Sequence, residues 1–290
     1  MNIAVLAARD SWYFRDLQRA AGARCELTAI SYKSLASHVQ GATLGVSAGD
    51  ARLSELDGVL VRSMPPGSLE QVVFRMDALG RLEASGVRVV NSARAIEAAV
   101  DKYLATAKLQ AAGMLVPPTI VCQTAADGLA ACETLGGDVV VKPLFGGEGR
   151  GITRVSDAAI ARRVFMSLEQ IGAVLYIQKF IPHDGVDWRL LVVGDEVLGM
   201  KRVNPDDWRT NISLGARPAP LEVTVELSQL ARRAAEAVGA TVAGVDLLPA
   251  RDGRLYAIEV NAVPGWKALG EVTGVDVAER VLRLVGGGKP

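Results

Sequence analysis

Two acids and an amide in GVDLLPARDGRLYAIEVN, from Gly244 to Asn261, stand at spacings that could bind a metal. Asp252-Gly253 is a two-residue hairpin signal. If Arg251 and Arg254 close that turn, Asp246 lies directly opposite Glu259. Side chains alternate along a strand, so Glu259 and Asn261 share a face, and Asp246 joins them from across the pair. Tyr256, Ile258 and Val260 then fall on the other face with Val245 and Leu247. Facing Cβ atoms are roughly 4.5–5.5 Å apart, where like charges are destabilising unless a cation joins them. Hard oxygen donors of this kind suit Mg²⁺, above all Mg²⁺ shared with phosphates. The bland alternative is a solvated hairpin carrying unrelated acids.

A second hairpin turns at Gly194-Asp195, and pairing Val193 with Glu196 puts Asp187 opposite Arg202. Arg189 shares the Asp187 face, while Trp188 and Leu190 face away, and Arg209 of DDWRTN could converge on the same surface. Exposed charged faces are common and contribute little, so this pattern gains weight only beside the first. The stretch VVVKPLFGGEGRGI, Val139 to Ile152, adds Lys142 at the end of an apolar run and a dense set of glycines. It is neither a Walker loop, since G-K-[ST] is missing, nor G-x-G-x-x-G. It also sits mid-chain and not after the first strand, which argues against a dinucleotide site. A mobile loop whose backbone N–H groups fold over phosphates remains, with Lys142 as a point charge. Lysine, glycine flap and a carboxylate–Asn set together make equipment for ATP; a flexible surface turn is the alternative for the loop alone.

Elements that would position these groups are legible along the chain. NIAVLAA, CELTAI, DGVLVRS and VRVVN read as strands alternating with the helices YFRDLQRAAG and LEQVVFRMDALGRLEASG, the βαβ signature of a parallel sheet. Ser92 and Asp101 are candidate N-caps of two helices, with Gly113 closing the second. VPPT at 116–119 opens a new lobe containing the strand TIVCQ, a helix, the lysine–glycine stretch, another helix and the strand LYIQKFI. From Asp187 the pattern changes to hairpins around the helix TVELSQLARRAAEAVG, and the tail GGGKP is expected to fray. The fold class is therefore α/β, with α+β lobes behind a parallel N-terminal domain. Expected divisions are 1–92, 93–181 and 182–290.

Composition removes several function classes. With 290 residues, 50% hydrophobic and 22% charged, the chain is globular. A formal net charge of zero supplies no basic excess for phosphates of a polynucleotide, so no nucleic-acid role is expected. Cys25, Cys122 and Cys132 form no C-x-x-C pair, and His38 and His183 are the only histidines. Reduced structural thiols, no His-based zinc site and no His general base follow. MNIAVLAARDSW is apolar too briefly for a signal peptide or membrane span, so the expected location is cytoplasmic, with no membrane partner.

The segments DKYLATAKLQAAGMLVPPT, VVVKPLFGGEGRGI, YIQKFI, DWRLLVVGDEV, DWRTN, AGVDLL and IEVNAVPGW, in this order, resemble the ATP-grasp superfamily. Within it the chain is similar to the RimK-type α-L-glutamate ligases over about residues 95–280. The resemblance implies an ATP-grasp fold with a pre-ATP-grasp domain ahead of it, ATP held between two lobes, and the loop with Gly146, Gly147 and Gly149 closing over it. Lys102 and Lys142 would contact phosphates, the segment Gln178, Lys179, Phe180, Ile181 would bind adenine, and Asp187, beside Arg189, would take the ribose. Asp246, Glu259 and Asn261 match magnesium ligands, with two Mg²⁺ expected and Mn²⁺ as a substitute. Arg202, Arg209 and Asn211 match positions that hold phosphate or an acyl-phosphate. Lys179 departs from the family, which usually has an acid there.

The implied reaction joins L-glutamate through its amine to a small-molecule carboxylate acceptor, forming an amide, ADP and phosphate. The NAVPGW ending resembles members acting on pterin-type cofactors, and a furan-type carboxylate is a related option. Use of another amino acid, or a non-catalytic ATP-binding regulatory protein, are the rival readings. A homo-oligomer is expected from the family alone.

Overall fold

Four strands that alternate with helices build the first lobe: β1 (Asn2–Leu6), β2 (Glu26–Ile30), β6 (Gly58–Val61) and β7 (Arg88–Val90). They are parallel and ordered β2-β1-β6-β7. Ala4, Val5, Leu6, Val59 and Val61 are essentially inaccessible, as expected of parallel strands covered on both faces. Helices α1 (Trp12–Ala21) and α2 (Leu69–Ala84) start where the sequence supplies caps: Ser11 Oγ accepts from Phe14 N, and Ser68 with Gln71 forms a capping box. Between β2 and β6 lies an antiparallel sheet in the order β3 (Leu35–Gln40), β4 (Thr43–Ala48), β5 (Ala51–Arg52). The structure, a computed structural model, describes residues 1–40 and 43–287; the last three residues of the tail expected to fray lie outside them.

The second sheet is antiparallel, in the order β10 (Thr153–Val155), β9 (Val139–Lys142), β11 (Leu175–Lys179), β8 (Thr119–Cys122). Helices α5 (Ala125–Thr134) and α6 (Ala158–Gln170) cover one face, burying Phe165, Leu175 and Ile177 completely. The third sheet is also antiparallel, running β14 (Arg217–Pro220), β13 (Glu196–Val203), β12 (Val186–Val193), β15 (Val242–Pro249), β16 (Leu255–Asn261). Helices α3 (Ala93–Val100) and α4 (Lys102–Ala111), capped by Ser92 and Asp101, pack with α7 (Val225–Val238) on this third sheet. One core cluster consequently runs from Ala4 and Leu6 of β1 through α3 and α7 to Val245 and Val260. Helices α8 (Lys267–Thr273) and α9 (Val277–Val285) return the chain to the first lobe, where Arg19 of α1 grips Asp276 at 2.8 Å.

Asn91, at the end of β7, ties the first lobe to the third sheet. Its amide donates to Val242 O at 2.7 Å and to Ala262 O, and its Oδ1 accepts from Thr241 N at 2.8 Å and Val242 N at 3.0 Å. The side chain is 2% exposed, so those backbone groups have no water to turn to. The cysteines are free thiols. No helix among the described residues is long and apolar enough to cross a membrane. Replacing Asn91 by Leu keeps the branched heavy-atom shape but strands several buried backbone groups. It should lower unfolding free energy by about 3 kcal/mol, read as a fallen urea midpoint at unchanged slope.

Candidate active site

The third sheet assembles a row of charges by strand register. Val193 pairs with Glu196, so Asp187 on β12 opposes Arg202 on β13; on the other side Arg189 opposes Asp246 of β15, which opposes Glu259 of β16. Arg202 binds Asp187 through Nε to Oδ1 at 2.7 Å and reaches Asp246 Oδ2 through Nη2 at 2.8 Å. Arg189 takes the other Asp246 oxygen, and Thr210 Oγ1 donates to Asp187 Oδ2 at 2.6 Å. Asp187, Arg202 and Asp246 are each 5–6% exposed. Burial alone would raise the Asp246 pKa, but the attraction of Arg189 and Arg202 prevails and holds it below the usual carboxylate range. For Arg202 burial again opposes ionisation, and the two aspartates overcome it, so its pKa rises.

The β15–β16 hairpin reaches its register by a different route from the one the sequence suggests. Ala250 and Arg254 close the loop, with Ala250 N bonded to Arg254 O at 2.9 Å, so the connection has three residues and Gly253 takes a left-handed φ of 79°. That shifts the pairing by one, to Pro249 with Leu255 and Leu247 with Ala257. A bulge between Asp246 and Leu247 shifts it back, restoring Asp246 opposite Glu259. The expectation that Tyr256 and Ile258 share the Val260 face is therefore corrected. Val260 stays in the main core, whereas Tyr256 and Ile258 gather with Ile181 and Leu248. The extra residue of the bulge is what swings Ile258 round, and it now lines the cleft beside Glu259.

That cleft encloses about 1090 Å³, open mouth included, between the second and third sheets. Of the site residues expected from the sequence, only Arg189 and Asn261 do not line it. Arg189 lies beneath, its guanidinium 2.9 Å from where a Cβ on Gly244 would sit. Asn261 Oδ1 accepts from Val263 N at 2.8 Å. Its lining includes an apolar group, Ile181, Leu248 and Ile258, which pack together, and the charged Lys102, Lys142 and Glu259. Lys142, at the end of β9, donates to Gln178 Oε1 at 2.7 Å, and Gln178 is fixed by Thr119 Oγ1 at 2.9 Å and Tyr176 Oη at 3.1 Å. Burial depresses the Lys142 pKa to about 8, against the pull of Glu259. Lys102, at the start of α4, is lowered for the same reason and donates to Gly146 O.

The glycine loop crosses the cleft mouth. A Cβ at Gly149, whose φ is 74°, would lie 2.5 Å from Asn211 Oδ1, so only glycine allows this approach. Ser213 Oγ donates to Glu148 O at 3.1 Å, fastening the loop to the third lobe. Arg209 also faces the cleft but rests on Asp207, with Nη2 to Oδ2 at 2.6 Å. Thr210 was not among the expected residues; its signal was its place between Arg209 and Asn211 in DWRTN. Among the described residues no three His, Cys, Asp or Glu side chains are grouped so that they could hold a metal ion together. Two carboxylates do fit a hard cation: Glu259 makes no hydrogen bond or ion pair among the described residues, and Asp246 faces it across the ladder.

Comparison with known proteins agrees with this geometry. Residues 99–285 match the model of the RimK-like ATP-grasp domain. Tetrahydromethanopterin:alpha-L-glutamate ligase of Methanosarcina acetivorans is 33% identical over 267 residues, covering 82% of each chain. Glutamate–LysW ligase ArgX of Sulfurisphaera tokodaii is 29% identical over 210 residues, 70% of this chain and 74% of that one. Among solved structures, a RimK domain ATP-grasp protein from Sphaerobacter thermophilus superposes with a TM-score of 0.73 at 26% identity, covering 98% of this chain and 99% of that one. The ATP-grasp ligase PsnB complexed with minimal precursor, Mg and ADP gives a TM-score of 0.73 at 20% identity over 98% and 96%. A cleft between two antiparallel sheets, a glycine loop over it and a family match across most of the chain lead to one statement: the chain belongs to the RimK-like ATP-grasp family.

Proposed function

We propose that this protein is an ATP-dependent C–N ligase that joins L-glutamate, through its amine, to a carboxylate acceptor of pterin type. The observation that carries it is the single cleft in which Lys102, Lys142, Arg202, Arg209 and Glu259 meet. Relatives named for joining glutamate to tetrahydromethanopterin or to LysW support the choice of amino acid and acceptor. A furan-type acceptor or another amino acid fits the same cleft chemistry.

In the first step an acceptor carboxylate oxygen attacks the γ-phosphorus of ATP, the bond to the β–γ bridging oxygen breaks, and ADP departs. In the second, the glutamate amine attacks the acyl-phosphate carbonyl, phosphate leaves with the C–O electron pair, and the amine loses a proton. Lys102 and Lys142 are placed to neutralise phosphate oxygens, and Arg202 to meet the charge that develops on the transferring group. Asp187 has both oxygens taken by Arg202 and Thr210, so its part is to hold Arg202; the ribose role implied by the resemblance is not needed for that. Asp246 and Glu259 would hold Mg²⁺, proposed as two ions replaceable by Mn²⁺, with Asn261 completing the set after a shift of its side chain. Bound there, Mg²⁺ supplies charge neutralisation for the phosphates. Arg209 leaves Asp207, and the loop through Gly146, Gly147 and Gly149 keeps water from the acyl-phosphate. Adenine would lie against Phe180, Ile181, Leu248 and Ile258, with Lys179 at the rim.

Steady-state ADP formation from Mg-ATP, beyond a single turnover, should require both L-glutamate and an acceptor-containing metabolite extract. Glu259→Gln should cut that rate on the order of 100-fold or more while leaving the melting temperature unchanged. A variant at wild-type rate would remove Glu259 from the site. Lys142 gives a pH test. Its folded pKa of about 8 lies below the ordinary lysine value of 10.5, so the free protein binds fewer protons than the unfolded chain between these values. Fold stability contributed by this group therefore rises over that window. Nucleotide binding behaves oppositely, because a neutral lysine must take up a proton. The dissociation constant for Mg-ATP should rise about tenfold per pH unit above that pKa, and Lys142→Arg, which does not titrate there, should abolish this dependence.

A further inference from the structure

A buried cation with no ion pair among the described residues stands outside the cleft just described. The parallel sheet changes its direction of growth at β1, because β2 lies on one side of it and β6 and β7 on the other. In open α/β sheets, ligands bind outside the carboxyl ends of strands at such a switch point. Here those ends carry Tyr13, in the first turn of α1 after β1, and Arg62, directly after β6.

Arg62 is 8% exposed. Its guanidinium carbon lies 4.1 Å from the Trp266 ring centroid and 4.9 Å from that of Tyr13. Nη2 donates to Pro264 O at 2.8 Å, while Nε is buried with no partner. Asp16, which reaches this cluster by accepting from Trp266 Nε1 at 2.9 Å, is paired with Arg19 at 2.8 Å. Desolvation lowers the Arg62 pKa to about 10, with Tyr13 pulling weakly the other way. Two ring faces and one carbonyl return only part of the cost of burying a guanidinium. Beside Tyr13, Trp12 is 36% exposed, and Lys267 Nζ lies 5.6 Å from its ring centroid, so a second cation stands on the exposed side of this aromatic group. The site adjoins the cleft: a Cβ at Gly244 would lie 3.0 Å from Pro264 Cβ and 2.9 Å from Arg189 Cζ, and Arg189 pairs with Asp246.

We propose that Arg62, walled by Tyr13 and Trp266 with Lys267 on the exposed side, receives a carboxylate that does not react, carried by one of the two organic substrates. It rests on the ligase reading and deepens it, since glutamate keeps two free carboxylates when its amine attacks and an acceptor can carry a second one. Arg62 thereby anchors a substrate one chain segment away from the phosphates.

The test titrates L-glutamate, and separately tetrahydrofolate as a pterin carboxylate, into the full chain loaded with Mg-AMPPNP, following tryptophan fluorescence and heat. In Arg62→Lys one of the two probes should lose at least about tenfold in affinity, because a point charge replaces a fork of donors. Lys267→Ala should weaken the same probe about threefold, and AMPPNP affinity should stay within twofold in both variants. The probe that weakens identifies which substrate brings the carboxylate. Both probes binding both variants at wild-type strength would overturn the proposal and leave Arg62 as a tether between β6 and the Pro264 segment. If Arg62→Lys fails to fold, the exposed Lys267 variant decides: a loss supports the site and no loss overturns it. Wild-type chain that binds neither probe also overturns it, while ADP formation dependent on glutamate and extract would still uphold the ligase reading.

Discussion

Four side chains on one face of a sheet hold this molecule's chemistry together: Asp187, Arg202, Asp246 and Arg189, bonded in sequence across three strands. Such a network gains little net stability, since desolvation offsets the attraction, but losing any member leaves an uncompensated buried charge. Its value is positional. Both Asp187 oxygens are used to fix Arg202, and Arg202 in turn shares Asp246 with Arg189. Of the two acids proposed to hold a metal, Asp246 is ion-paired to Arg189 and Arg202, whereas Glu259 makes no ion pair among the described residues. On that proposal a divalent cation bound at Glu259 would compete with the arginines for Asp246, and the donors it freed would face the phosphates.

The remaining elements serve this row from two sides. Beneath it, α3, α4 and α7 form a continuous core with the first lobe, and Asn91 locks that lobe to Thr241, Val242 and Ala262. Above it, the second sheet contributes Lys142 and Gln178 from neighbouring strands β9 and β11, and the glycine loop reaches across to Asn211 and Ser213. The loop is fastened by Lys102 Nζ to Gly146 O and by Ser213 Oγ to Glu148 O, and its residues lie outside the core clusters. Rigid charges below and a light cover above suit a reaction whose intermediate must be kept from water.

Much of this was legible because register follows from turns and alternation. The Asp187–Arg202 pairing follows directly from the Gly194-Asp195 turn, and the N-caps Ser92 and Asp101 begin the helices expected of them. Asp246 and Glu259 do face each other, but through two one-residue departures that offset each other, and no local rule signals the bulge that turns Ile258 into the cleft. The β3–β5 sheet went unread because β3 is exposed at every position beyond Leu35, so no buried face marks it, and β5 has only two residues. Arg62 and Asn91 were equally silent. A lone arginine after a strand reads as surface charge and a lone asparagine as a turn, and only tertiary packing reveals that each is buried against the NAVPGW segment. The family motifs carried the chemistry that spacing alone left open.

The most direct measurement is mass spectrometry of purified protein incubated with Mg-ATP, isotope-labelled L-glutamate and a metabolite extract. The expected result is label appearing in a small molecule that gains one or more glutamyl units, only when ATP is present, with one ADP and one phosphate formed per amide. Absence of any ATP-dependent label, from glutamate or from other amino acids offered in its place, while the protein still binds Mg-ATP, would contradict the ligase reading.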